Sequence, residues 1–253
     1  MKLTPKMPPQ ALVRAIYRTL ARSWGAQHWW PAETAFEVIV GAILTQNTSW
    51  KNVERAMSSL RSAGALSIAG IRDLPLAKLE ELVRSSGYYR QKAQRLKSFI
   101  AFVDAKYDGS LEKMFSQPTL QLRTELLALN GIGPETADAI LLYAGNHAVF
   151  VIDAYTRRIL QRHAAIEDAA KYDDIRVLVE HALRREKLLP ASVPVVTVDK
   201  PAVHEPSPMS RAGRSQLAQV YNEMHGLFVQ IGKQYCYKLE PNCQECPLRH
   251  LLP

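Results

Sequence analysis

Residues 126–158 read LLALNGIGPETADAILLYAGNHAVFVIDAYTRR, and this stretch decides the fold. An apolar helical pattern runs to Leu129 and breaks at Asn130-Gly131-Ile132-Gly133. Pro134 then opens a second helix, because proline suits the first helical turn, where its missing N–H is not needed. Gly131 and Gly133 are expected to take backbone conformations closed to other residues. Ile132 is expected to plug the turn into a core. The free amides of the turn and of the following helix start make an anion site, and a DNA phosphate fits it without any base being read. The plainer reading of the same residues is an ordinary glycine-containing turn between two helices.

Helical periodicity extends outward on both sides. Helices are predicted over 10–23 (Leu12, Ile16 and Leu20 on one face), 35–46, 49–63, 77–86, 90–106, 118–129, 134–145, 153–163, 172–186 and 214–231. The 35–46 run, AFEVIVGAILTQ, is apolar nearly all round, which predicts burial on most sides. In 90–106, Ala93, Leu96, Ile100 and Val103 share a face. The β-branched VFVI at 149–152 is short and leads straight into a helix. The expected class is all-α. Residues 187–213 carry five prolines, which fix φ and remove donors, so an extended loop is expected there.

The chain has 253 residues and a net charge of +8, a surplus that favours a polyanionic partner. No stretch approaches the roughly 18 apolar residues of a membrane span, and the N-terminal helix is broken by Arg14, Arg18 and Arg22. An intracellular, soluble protein is expected. The three cysteines fall between 236 and 246, a set that speaks for a metal site or free thiols rather than a disulfide framework. Asp153, just ahead of AYTRR, is placed to cap the following helix.

LNGIGPETADAILLYA followed by VIDAYTRR resembles the helix–hairpin–helix plus Gly/Pro-Asp (HhH-GPD) signature of the endonuclease III superfamily of DNA glycosylases. The resemblance implies that the damaged nucleotide is flipped from the duplex and that Asp153 is the catalytic carboxylate, stabilising an oxocarbenium-like sugar. It implies DNA contacts at Gly131, Ile132, Gly133 and Thr136. Members that also cut the strand carry a lysine two residues after the second hairpin glycine. Here that position is Glu135, which cannot form a Schiff base, so a monofunctional enzyme without strong lyase activity is expected.

HWWP, GAILTQNTSWKNVERAM and SSGYYRQKAQRL, taken with the hairpin, resemble the 3-methyladenine-excising branch of that superfamily. What this implies is a base pocket of Trp29, Trp30, Pro31 and Trp50, approached by Lys233. Aromatic faces suit a cationic base. Lys233 sits awkwardly beside such a base, and pairing with Asp153 or a phosphate are its alternatives. By position, Gln46 matches the residue that fills the gap left by the flipped nucleotide, and Tyr88 the wedge on the opposite strand. Cys236, Cys243 and Cys246 resemble the first three ligands of a [4Fe–4S] loop. The fourth cysteine is missing at Leu252, which leaves His250, an outside ligand or a lost cluster as the options.

The fold implied has two helical lobes, one of about 32–146 and one of 1–31 with 147–253, with a DNA-binding cleft between them. The expected enzyme is a monomer at the nucleoid in the cytoplasm, acting on damaged double-stranded DNA in base excision repair. Two other readings stay open: an endonuclease III-like glycosylase for oxidised pyrimidines or mismatches, and a non-catalytic hairpin DNA-binding protein.

Overall fold

The structure, a computed structural model, describes residues 6–188 and 206–253. Most of the proline-rich 187–213 segment therefore lies outside the described residues. The described residues are helical and contain no strand. They divide into two compact units, Ala32–Gly145 and Met1–Pro31 with Asn146–Pro253.

The Ala32–Gly145 unit is built round α2 (Ala35–Leu44), all of whose residues from Phe36 to Leu44 are buried. Its start is fixed by Thr34, whose Oγ1 accepts from the Glu37 N–H at 3.1 Å. Five further helices follow: α3 (Trp50–Ser62), α4 (Ile68–Asp73), α5 (Leu76–Leu82), α6 (Tyr89–Tyr107) and α7 (Leu111–Phe115). α3 and α6 pack on α2, and α4, α5 and α7 pack on α6. The hairpin closes the unit with α8 (Thr119–Leu127) and α9 (Pro134–Ala139). α9 then widens into a π turn, Ile140–Ala144, that is wholly buried and packs on α2. Each large apolar side chain buried in this way contributes roughly 1.5–3 kcal/mol. Arg123 of α8 grips the fully buried Asp138 of α9 in a two-bond fork of 2.7 and 3.1 Å, locking the two hairpin arms together.

The other unit packs α1 (Pro9–Trp24), α10 (Ala154–Arg162), α11 (Tyr172–Leu183) and α12 (Gln216–Gln234), with α12 touching each of the other three. The VFVI segment is neither strand nor helix. It is buried, and two of its backbone donors are met by side chains of α11: Phe150 N–H by Glu180 at 3.0 Å and Ile152 N–H by the Tyr172 hydroxyl at 3.2 Å. A buried amide with no partner is costly, so these two contacts are what allow the segment to lie in the core. It delivers Asp153 to the start of α10. Among the described residues, no helix is long and apolar enough to cross a membrane.

Candidate functional site

Asp153 is the N-cap of α10. Its Oδ1 accepts from the Thr156 N–H at 2.7 Å, which satisfies one of the free amides of the first turn. The side chain keeps 13% of its surface, so the carboxylate is reachable but cannot swing freely. Its second oxygen, Oδ2, faces Nε2 of His225 on α12 at 3.7 Å. His225 is buried, and burial pushes its pKa down while the Asp153 charge pulls the other way. The imidazole is flanked by the rings of Trp29 at 6.3 Å and Phe150 at 6.2 Å.

Trp29 and Trp30 meet edge to face at 5.9 Å and are joined by a cis peptide bond. Trp30 is buried, Trp29 and Pro31 are half-buried, and the Trp30 carbonyl accepts from the Ser207 hydroxyl at 3.2 Å. Gly226 makes this packing possible, since a β-carbon there would sit 2.9 Å from the Gln27 β-carbon and 3.1 Å from that of Trp29. Lys233 Nζ stands 5.9 Å from the centre of the Trp29 ring. A lysine at that distance from an aromatic face is within the range of a cation–π contact.

The hairpin residues lie in the Ala32–Gly145 unit. Gly131 has φ +81°, the left-handed region where only glycine is comfortable. Gly133 does not: its φ of −88° and ψ of 176° suit any residue, so the expectation of a special conformation there is corrected. Nothing lies within 4 Å of where its β-carbon would project, so that side of the turn is open. Ile132 is buried as expected, and Glu135 is exposed on the first turn of α9. Gln46 is tied to the hairpin, its Nε2 donating to the Gly131 carbonyl and to Thr136 Oγ1, both at 2.9 Å.

Two residues of α6 that sequence reasoning passed over hold this region. Arg95 donates to Gln46 Oε1. Lys92 is fully buried and donates to Leu44 O at 2.9 Å and Ser86 O at 2.6 Å, which joins the end of α2 to the turn before Tyr88. Tyr88 itself is held at φ 44° with its side chain 65% exposed. An aromatic presented to solvent from a left-handed backbone is an expensive arrangement for a residue with no external task. Trp50, half-buried, opens α3 in the same unit.

Cys236, Cys243 and Cys246 line one small cavity together with Arg162, His163 and Leu252. Burial, with added repulsion from the other two thiols, pushes Cys246 up to about 11, so it holds its proton at neutral pH. Leu252 fills the side where a fourth thiolate is expected. His250, the other donor considered, is exposed and its Nδ1 lies 3.1 Å from the Pro247 carbonyl. Among the described residues, no three His, Cys, Asp or Glu side chains converge so as to hold a metal ion. This donor set does not fit a four-thiolate iron–sulfur cluster.

The profile of the HhH-GPD superfamily of base excision DNA repair proteins matches residues 40–185, which takes in Gln46, Tyr88, the hairpin and Asp153. The chain belongs to this HhH-GPD superfamily. A candidate DNA repair glycosylase from Methanocaldococcus jannaschii is 41% identical over 240 residues, 94% of each chain. An HhH-GPD structure, that of the H. pylori 3-methyladenine DNA glycosylase bound to 1,N6-ethenoadenine, superposes with a TM-score of 0.69 and 29% identity over 90% of this chain and 98% of that one. A trapped endonuclease III–DNA complex shares the all-α HhH-GPD fold, with a TM-score of 0.71 at 20% identity over 97% and 96% of the two chains. The HhH-GPD match does not reach Trp29, Trp30, Lys233 or the cysteines, so those positions rest on the local packing given above.

Proposed function

We propose that this HhH-GPD protein is a monofunctional DNA glycosylase that flips alkylated purines of the 3-methyladenine type out of duplex DNA and hydrolyses their N-glycosidic bond. The observation that carries this is Asp153: a carboxylate fixed by a helix N-cap, with a tryptophan-bearing segment packed in the same unit. The 29% identity with the H. pylori 3-methyladenine enzyme, across almost the whole chain, supports the choice of base.

The chemistry suits such a site. A 3-methylpurine nucleoside already carries positive charge on the base. Breaking the C1′–N9 bond returns the bonding electrons to the ring, and the base leaves neutral without a general acid. Positive charge moves to the sugar, where Asp153 stabilises it until water attacks C1′ and gives up a proton. Trp29, in the same unit as Asp153, supplies a stacking face for the flipped base. Gln46, braced on the hairpin, occupies the vacated stack, and Tyr88 presses on the opposite strand. The hairpin amides at Gly131–Gly133, with Thr136 behind them, hold a backbone phosphate.

Glu135 occupies the position of the lyase amine, so no covalent sugar adduct forms there. The test is release of bases from methylated duplex DNA, across a panel that includes oxidised pyrimidines and mismatches. Release of 3-methyladenine by the wild type and not by Asp153→Asn is expected, with no borohydride-trapped complex. Release of oxidised pyrimidines instead, or efficient trapping, overturns the reading.

A further inference from the structure

We propose that His225 is the positioning residue of Asp153, its Nε2–H steering the Oδ2 oxygen that the helix cap leaves unfixed. This deepens the glycosylase reading and rests on it.

A carboxylate anchored through one oxygen still has a rotational freedom. Here Oδ1 is spoken for by the Thr156 N–H at 2.7 Å. Oδ2 is the oxygen left to face the reacting sugar, and the side chain aimed at it is His225, with Nε2 3.7 Å away. That separation is one small adjustment longer than a hydrogen bond, and such contacts tighten when substrate closes over a site. The ring is closely packed. It is buried on α12 between Trp29 and Phe150, and Gly226, the next residue, lets the 27–29 segment press close against the helix.

The chemical type of the residue is also apt. Burial keeps the imidazole neutral, and Asp153 is the charge that opposes this. A neutral ring can orient a carboxylate while leaving its negative charge intact for the sugar cation. A lysine or arginine in the same place would cancel that charge and oppose a cationic base. Other ionisable groups on the elements packed here bond elsewhere. Tyr17 of α1 bonds to the Lys187 carbonyl at 3.4 Å, and Glu223 of α12 to the Gln27 N–H at 2.5 Å. Arg157 and Arg158 of α10 bond to the Ala170 and Cys236 carbonyls, each at 2.7 Å. Glu180 of α11 pairs with Arg176 at 2.9 Å, and Lys233 lies over Trp29.

The experiment compares His225→Phe and His225→Gln with wild type in single-turnover release of 3-methyladenine from methylated duplex DNA. His225→Phe is expected to slow the chemical step about 10- to 100-fold, with duplex affinity unchanged. His225→Gln keeps an N–H and should recover most of the rate. Wild-type rates in His225→Phe, or no recovery in His225→Gln, overturn the proposal. Should both variants fail to fold, ¹⁵N-imidazole spectra of the wild type decide: an Nε2–H tautomer is expected, and an Nδ1–H tautomer overturns it. Failure of the wild type to release any alkylated base sinks the glycosylase reading instead, and the tautomer measurement still stands apart from it.

Discussion

The side chain of Arg95 fills the space that a β-carbon on Gly131 would need, and the same guanidinium holds Gln46. The hairpin turn, the α6 face and Gln46 are thus one packed assembly inside the Ala32–Gly145 unit. Gly131→Ala should disturb all three at once. A left-handed φ of +81° strains any side-chain-bearing residue, and the clash with Arg95 adds to it. The expected loss is about 2–4 kcal/mol, read from denaturant midpoints. Adding Arg95→Ala should recover the steric part of that loss while leaving the backbone part.

Gly133 behaves differently. Alanine fits its backbone and meets no neighbour, so Gly133→Ala should change stability by less than about 0.5 kcal/mol. A phosphate seated on the open side of the turn would still meet the added methyl group. Weaker binding of duplex DNA at unchanged stability is the expected pair of results, and unchanged binding in a salt titration would remove the phosphate from this position.

Replacing Asp153 separates capping from chemistry. Asparagine caps a helix about as well as aspartate, so Asp153→Asn should keep the melting temperature close to wild type and lose base release. Asp153→Ala should lose base release and about 1 kcal/mol of stability as well. A stable Asp153→Asn enzyme at full activity contradicts the assigned role.

Lys92 predicts a pH dependence of stability with a defined sign. Burial, reinforced by Arg95, pushes its pKa down to about 8 in the folded protein. In the unfolded chain a lysine keeps its proton to about pH 10.4. Between these values the unfolded state binds more protons, so the stability contributed by Lys92 rises with pH across that window and is flat below it. The urea midpoint of wild type minus that of Lys92→Met should therefore rise from pH 8 to pH 10. A constant difference would mean that Lys92 is not depressed.

The cation that Lys233 places over Trp29 should act on base preference. Lys233→Met is expected to improve release of cationic 3-methyladenine relative to neutral hypoxanthine, by about two- to fivefold. Equal changes for both bases would show that the lysine touches backbone or sugar instead.

Much of this was readable from residue order. The long helices follow from periodicity, and the hairpin with Asp153 from a local motif whose chemistry is contained in adjacent residues. α4 and α7 were not foreseen, because six and five residues are too few to display a period of 3.6. Lys92 and Arg95 lie off the apolar face of their helix and carried no signal in the sequence. Only the fold brings the ends of α2 and the turn before Tyr88 to them. His225 drew no reading from the sequence, and its relation to Asp153 comes from the packing of α10 on α12. Gly133 was over-read because a paired glycine motif suggests two special conformations, and the chain needs one.

The buried segment ahead of Asp153 has a practical consequence for protein engineers. Two of its amides are satisfied by Glu180 and Tyr172, both on α11. α11 is therefore no interchangeable spacer: a chimera that imports the helix from a relative must import those two anchors with it. Otherwise Asp153 would be mounted on a frayed tether, and the graft would disturb a position it never touched.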